Sequence, residues 1–174
     1  MTTLPIAAEM SEGERLSFLW SQHSYVTDYI KFADAKAALI ASGTTAIIGA
    51  AYGGKLRSST LSVRSLQGLH AYLTVIAFVL LAASVVFAAW SIKPRLLTGS
   101  RLRPMSWVDI ANYRDAESFE RAHSNTNAEE FSTMLAHQVY YMSRICKRKH
   151  LFVAISLLFC IAGAGLTVLL GFSV

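Results

Sequence analysis

Charge is scarce in this chain. Only 16% of its 174 residues are Asp, Glu, Lys or Arg, where soluble proteins carry about a quarter. Three stretches, at 37–53, 69–92 and 151–174, contain no Asp, Glu, Lys or Arg. Uncharged apolar runs of that kind exclude an ordinary soluble domain and define an integral membrane protein. They also lack the mid-span charge on which ion pumps and coupled transporters rely, and three spans are few for a secondary transporter.

Cysteine is nearly absent. Cys146 follows an amphipathic segment and Cys160 lies inside an apolar run. With no CxxC, no Cys/His cluster and no disulfide framework, both read as packing residues. The five histidines, His23, His70, His123, His137 and His150, share no metal-ligand spacing. His23 falls on an apolar helix face and reads as a packed, hydrogen-bonded side chain. There is no HExxH, no GxSxG and no P-loop, which argues against an enzyme, a metal site or a bound cofactor. Nothing points to a nucleic-acid partner. A secretory leader is missing as well: Glu9, Glu12, Glu14 and Asp28 precede the first apolar run, so that run is expected to be retained.

What is present is helical throughout. "SEGER" opens with Ser11 and Glu14 at capping-box spacing. Leu16, Leu19, Trp20, His23, Val26, Ile30 and Ala33 then recur at helical intervals, opposite Arg15, Gln22, Asp28 and Lys31. No Pro or Gly interrupts this amphipathic helix before Ser42, so it runs into the first span. The sixteen residues 37–52 reach about 24 Å at 1.5 Å per residue, short against a hydrocarbon core of about 30 Å. Lys36 and Lys55 extend that reach by snorkelling. Ala, Ser, Gly and Thr dominate the run, and Gly49 with Gly53 forms a GxxxG, which predicts close packing against other helices.

The second span, 69–92, is bulky and aliphatic, with His70 and Tyr72 at one interface and Trp90 at the other. "SIKPRL" closes it: Pro94 cannot continue a helix, and Lys93 and Arg95 hold its end at the headgroups. Beyond a long polar stretch, Asn127 stands three residues before Glu130 as a helix start. Phe131, Leu135, Gln138, Val139, Met142, Ile145 and Cys146 follow at 3–4 spacing. This second amphipathic helix runs through "RICKRKH" into the third span, where "IAGAGL" is a small-residue patch.

The predicted architecture is therefore an all-α integral membrane protein. It comprises an amphipathic helix (1–36), a first span (37–53), a loop (54–68), a second span (69–92), a polar region with its own amphipathic helix (93–150) and a third span (151–174). Lys and Arg number three in 1–36, three in 54–68 and ten in 93–150. That bias places 93–150 in the cytoplasm. Span parity puts the N-terminus there too, the 54–68 loop in the periplasm and the C-terminus outside.

Two groups of charges stand out. The cluster Arg144, Lys147, Arg148 and Lys149 reads either as anchoring beside acidic lipid, at about 1 kcal/mol per charge, or as a phosphate site. Arg144, one turn further from the membrane than Arg148, is the best phosphate candidate. Arg95, Arg101 and Arg103 face the same choice, and Trp107 or Tyr113 reads as a base-stacking ring or as core. Asp34 and Lys36 form the second group. At i and i+2 they point in different directions and do not pair. Lys36 is an ordinary interfacial anchor. Asp34 lies on the Ile30–Ala37 face, where a carboxylate is costly without a partner. The expected partners are Arg95 and Arg144 or Arg148.

Three segments in order, "FADAKAALI", "IKPRL" and "EEFSTMLAHQVYYMSRICKRKHLFVAISLLF", resemble the aDxKA junction, the PR after the second span and the long final helix of one family. The chain resembles the transmembrane effectors of the Pycsar anti-phage systems over nearly its whole length. The resemblance implies a partner pyrimidine nucleotide cyclase that makes cyclic UMP or cyclic CMP on infection. The effector would sense that signal and impair the bacterial inner membrane, killing the cell before phage matures. The family motif falls on Asp34, Lys36, Ala37, Pro94 and Arg95. The resemblance carries no ligand contacts with it; read from this sequence's own charges and rings, the expected ligand-binding residues are Arg95, Arg101, Arg103, Arg144 and Trp107, and the expected gating or junction residues are Asp34, Lys36 and Pro94. A homo-oligomer in membrane lipid is expected. The rival reading is a small membrane subunit whose cytoplasmic helices dock a partner protein.

Overall fold

The computed structural model describes residues 10–57, 68–93, 110–124 and 126–171. Four α-helices account for nearly all of them: α1 (Glu12–Arg57), α2 (Leu69–Ile92), α3 (Ala116–Ser124) and α4 (Ala128–Gly171). Among the described residues there is no strand. Two compact units divide the chain, one formed by Met1–Tyr29 with Pro94–Ile145 and the other by Ile30–Lys93 with Cys146–Val174. α1 and α4 each give their N-terminal part to the first unit and the rest to the second.

Each long helix starts where its sequence supplies a cap. The Ser11 N–H and hydroxyl both donate to Glu14 Oε2, at 2.9 and 2.7 Å, and the Glu14 N–H donates back to Ser11 Oγ at 3.4 Å. This is the reciprocal box expected from the sequence. Those hydrogen bonds hold the Glu14 carboxyl below the usual carboxylate value. A depressed folded pKa stabilises the cap above the unfolded value and loses that contribution as pH falls through the folded one. Acidification below the usual carboxylate range is therefore expected to lower the amide-exchange protection factors, corrected for the intrinsic rate at each pH, across the first turn of α1. Glu14→Gln should remove that pH dependence; an unchanged profile would show that the box is not what titrates. At α4 the Glu130 N–H donates to Asn127 Oδ1 at 2.7 Å, again as the sequence requires. α2 ends because Lys93 has left the helix, at ψ 123°, the extended conformation that a following proline imposes. At the other end of α2, Gly68 adopts φ +142°, which favours glycine.

α3 was not foreseen in the sequence. Its start is another reciprocal cap: the Ser118 N–H donates to Asp115 Oδ1 at 2.7 Å and the Asp115 N–H to Ser118 Oγ at 3.3 Å. Tyr113, Phe119 and His123 form a chain of ring contacts, with centroids 5.3 and 4.7 Å apart. At nine residues the helix is too short to show a period against its polar surroundings.

In the first unit Val26 of α1 and Leu135 and Ser132 of α4 are buried. Trp20, expected on the buried face, is half exposed, its ring set edge-on to His23 at 5.5 Å. The His23 ring lies 3.4 Å from the Gln138 side-chain amide, so it is packed and hydrogen-bonded as expected.

The second unit is a bundle of α1 beyond Ile30, α2, and α4 beyond Cys146. Ala33 and Ala37 pack with Ala88 and Val153, and Ile40 and Ala41 lean on that cluster. The outer faces of α2 and α4 are bulky: Val75, Ile76, Val79, Val86, Leu157, Leu158 and Ile161 are exposed. Two helices contain a window long and apolar enough to cross a membrane, one within Ala71–Ile92 and one within Ala128–Leu170. α1 is not one of these two, because its uncharged run is short and rich in small residues. Of the GxxxG pair, Gly49 makes no close approach within the chain, and the Gly53 side of the motif lies outside the described side chains. A Cβ built on Gly49 meets nothing within 4 Å, whereas one on Gly163 lies 2.8 Å from Leu81 Cγ and 3.1 Å from its backbone nitrogen. The tight glycine contact thus joins α4 to α2, through "IAGAGL".

Candidate functional site

Asp34 projects from α1 into the second unit, one turn after Ile30 and one turn before Ala37. Its carboxylate accepts a hydrogen bond from the ammonium of Lys149 on α4, forming an ion pair. The two ends differ in environment: the Lys149 side chain is 9% exposed and that of Asp34 36%. The Lys149 carbonyl in turn accepts a hydrogen bond from Ser91 Oγ of α2 at 3.3 Å. One residue of α4 therefore ties all three helices of the unit together, through its side chain on one side and its backbone on the other.

Of the expected arginine partners, Arg144 and Arg148 are displaced by Lys149, and Arg95 lies outside the described residues. The reason is helical phase. Arg144 and Arg148 are four apart, share a face and are exposed. Lys149 is rotated by about 100° from Arg148 and lies on the row Ile145, Val153, Ser156, Cys160 and Gly163, all buried or half-buried. Extending the apolar stripe of α4 by one more turn would have identified it. The anomaly at Asp34 is thereby resolved: a carboxylate among alanines is matched by an ammonium buried on the facing helix.

The other expected residues separate. Lys36 is exposed, with its ammonium 4.2 Å above the Phe32 ring, and makes no part of the Asp34 pair. Arg144 is exposed and lies 6.0 Å from the Tyr140 ring centroid. Pro94, Arg95, Arg101, Arg103 and Trp107 lie outside the described residues. Near Lys149, burial pushes the Cys146 thiol up, with the Lys149 ammonium pulling it the other way. Cys146 Sγ sits 3.6 Å from His150 Nδ1. Among the described residues no group of three His, Cys, Asp or Glu gathers that would hold a metal ion.

A row of small polar groups continues inward from the pair. Ser84 Oγ donates to the Ser156 carbonyl and Ser156 Oγ to the Ser84 carbonyl, each at 2.8 Å. Thr44 Oγ1 donates to Cys160 Sγ at 3.2 Å and lies 3.4 Å from Ser84 Oγ. All three hydroxyl side chains are fully buried. The sequence reading passed over these residues because isolated Ser and Thr in an apolar run carry no period of their own.

The fold and the site together define a helical membrane protein whose apolar helices meet at a buried ion pair. The Pycsar effector protein domain, PycTM, matches residues 18–174. The chain belongs to that family, and is a transmembrane effector of anti-phage defence rather than a member of a known enzyme family. No curated protein and no solved structure matches it.

Proposed function

We propose that this effector crosses the bacterial inner membrane three times, with its N-terminus in the cytoplasm and its C-terminus in the periplasm. It is activated by a cyclic pyrimidine nucleotide, cyclic UMP or cyclic CMP, made by a partner cyclase. It then impairs the membrane and kills the infected cell. Three spans are supported by the depth of Thr44, which is hydrogen-bonded to Cys160 and close to Ser84. Those partners lie on the two helices long and apolar enough for crossing. The orientation rests on the ten basic residues of 93–150.

The observation that carries the mechanism is the Asp34–Lys149 pair. It is a two-state contact at the cytoplasmic end of the bundle, and a cyclic phosphodiester carries the charge needed to compete for it. The ligand-binding residues of this reading are Arg95, Arg101, Arg103 and Arg144, through charge-assisted hydrogen bonds, and Trp107, through base stacking. Moving the protein from mostly closed to mostly open requires a preference of about 5.5 kcal/mol for the open state. Hydrogen bonds to charged groups at about 1.5–3 kcal/mol each and one stacked base at about 1–3 kcal/mol reach that sum. Self-association of the opened chains in lipid completes the lesion.

The test is a titration of the purified protein in dye-loaded vesicles with cyclic UMP, cyclic CMP, cyclic AMP, cyclic GMP and a cyclic dinucleotide. Binding of a pyrimidine cyclic mononucleotide followed by dye release is expected. Absence of binding to either pyrimidine ligand would reject the sensing step. Binding without release would favour a subunit that docks another protein.

A further inference from the structure

The three helices of the second unit are not held with equal strength. α2 and α4 share the reciprocal Ser84–Ser156 pair at 2.8 Å in both directions. They also share the Ser91 hydrogen bond to the Lys149 carbonyl and the contact of Gly163 on Leu81. Phe87 stacks between Phe159 and Phe152, at 5.5 and 6.3 Å. α1 is attached differently. Its buried side chains here are Ala33, Ala37 and Thr44, which are small and contribute little packing.

Proton accounting sharpens the contrast. A hydroxyl has one O–H to donate. That of Ser84 goes to the Ser156 carbonyl, and that of Thr44 goes to Cys160 Sγ, a weak acceptor. The 3.4 Å hydrogen bond between Thr44 and Ser84, in which either hydroxyl can donate, therefore shares the one Thr44 proton with the Cys160 contact. Thr44 also has somewhere else to turn. Thr27, Thr45 and Thr167 donate to the carbonyl four residues earlier, at 2.8 Å each. Thr44 can do the same toward Ile40 if α1 moves away, so no hydroxyl is stranded in an apolar medium. The serine pair, meanwhile, remains satisfied without α1.

We infer that the α1 segment beyond Ile30 is the detachable helix of this bundle, that α2 and α4 remain paired, and that the Asp34–Lys149 ion pair is the restraint that keeps α1 seated. The inference rests on the reading of that pair as a latch and adds which helix leaves when it opens. Among the described residues, the other attachments of α1 on the bundle are the small side chains of Ala33, Ala37 and Ala41, the partly buried Ile40, and the hydrogen bonds of Thr44. Removing one strong interaction therefore shifts the position of α1 alone.

Pulsed electron–electron distance measurements on the full chain in vesicles test this without any nucleotide, so the outcome does not depend on what activates the protein. Spin labels are placed pairwise at the exposed positions Leu39 of α1, Val79 of α2 and Leu158 of α4, with Cys146→Ala and with Cys160→Ser, which keeps an acceptor for Thr44. Introducing Lys149→Met is expected to convert a longer α1–α2 and α1–α4 distance from a minor population into a dominant one. The α2–α4 distribution should stay single and narrow, which also reports that the chain is folded. Swapping the charges, Asp34→Lys with Lys149→Asp, should return the α1 distances to one population. The inference is overturned if the α2–α4 distance changes along with the others, if no distance changes, or if the swap fails to restore the short population.

Discussion

Replacing Asp34 by Asn is expected to destabilise the bundle by about 3–5 kcal/mol, because it leaves the Lys149 ammonium buried without a counter-charge. Lys149→Met should cost clearly less. The carboxylate it orphans is 36% exposed, against 9% for the lysine side chain, so water can take over its solvation. The two substitutions together should recover much of the loss, because an apolar side chain then faces a neutral amide. Reversible unfolding in mixed detergent micelles gives all three values. Equal costs for the two single variants, or a double variant that simply sums them, would show that the pair is not a coupled buried contact. The same asymmetry has a consequence in cells. Lys149→Met unlatches the bundle while leaving it folded, so it should kill cells without any cyclase present. Killing that still depends on the cyclase would remove the pair from the gating step.

The second large effect is at Gly163. An added methyl group would lie 2.8 and 2.9 Å from two Leu81 side-chain carbons and 3.1 Å from its backbone nitrogen. Gly163→Ala is thus expected to cost about 1–3 kcal/mol by overpacking, despite alanine being the better helix former. Leu81 is fully buried, and Leu81→Ala should cost about 2–5 kcal/mol through the cavity it leaves. Combined, the substitutions should compensate in part, since removing the Leu81 branch clears two of the three close contacts while the backbone nitrogen remains. Purely additive losses in the double variant would mean that the two helices do not meet at this point. Gly49→Ala, by contrast, should be neutral or slightly stabilising within a single chain, because nothing lies within 4 Å of the added carbon.

Much of the fold was legible because its signals are local. The caps at Ser11–Glu14 and Asn127–Glu130 are short-range hydrogen bonds written in three or four consecutive positions, and both form. The family, too, was legible from three ordered segments, because a membrane boundary constrains which residues stand beside it. What escaped was of two kinds. α3 is a nine-residue helix whose signals, an Asp115–Ser118 cap and an amphipathic pattern of barely two turns, are too short to stand out in a polar stretch. The Asp34 partner escaped because sequence reasoning sought an arginine, the usual donor for a bidentate pair, and passed over the lysine beside it.

By itself, the sequence determined that the chain is helical and apolar, where its long helices begin, and that Asp34 needs a basic partner from another junction. Each of these follows from chemistry within one stretch of chain: an uncharged run, a capping side chain, a carboxylate among alanines. Only the tertiary structure decided that the partner is Lys149, that the useful glycine is Gly163 rather than Gly49, and that Ser84 and Ser156 bind α2 to α4 more firmly than Thr44 binds α1. The reason is phase. Which of several similar side chains faces a neighbour depends on how the helices are rotated against one another, and a rotation of about 100° per residue separates the buried lysine from the exposed arginine next to it.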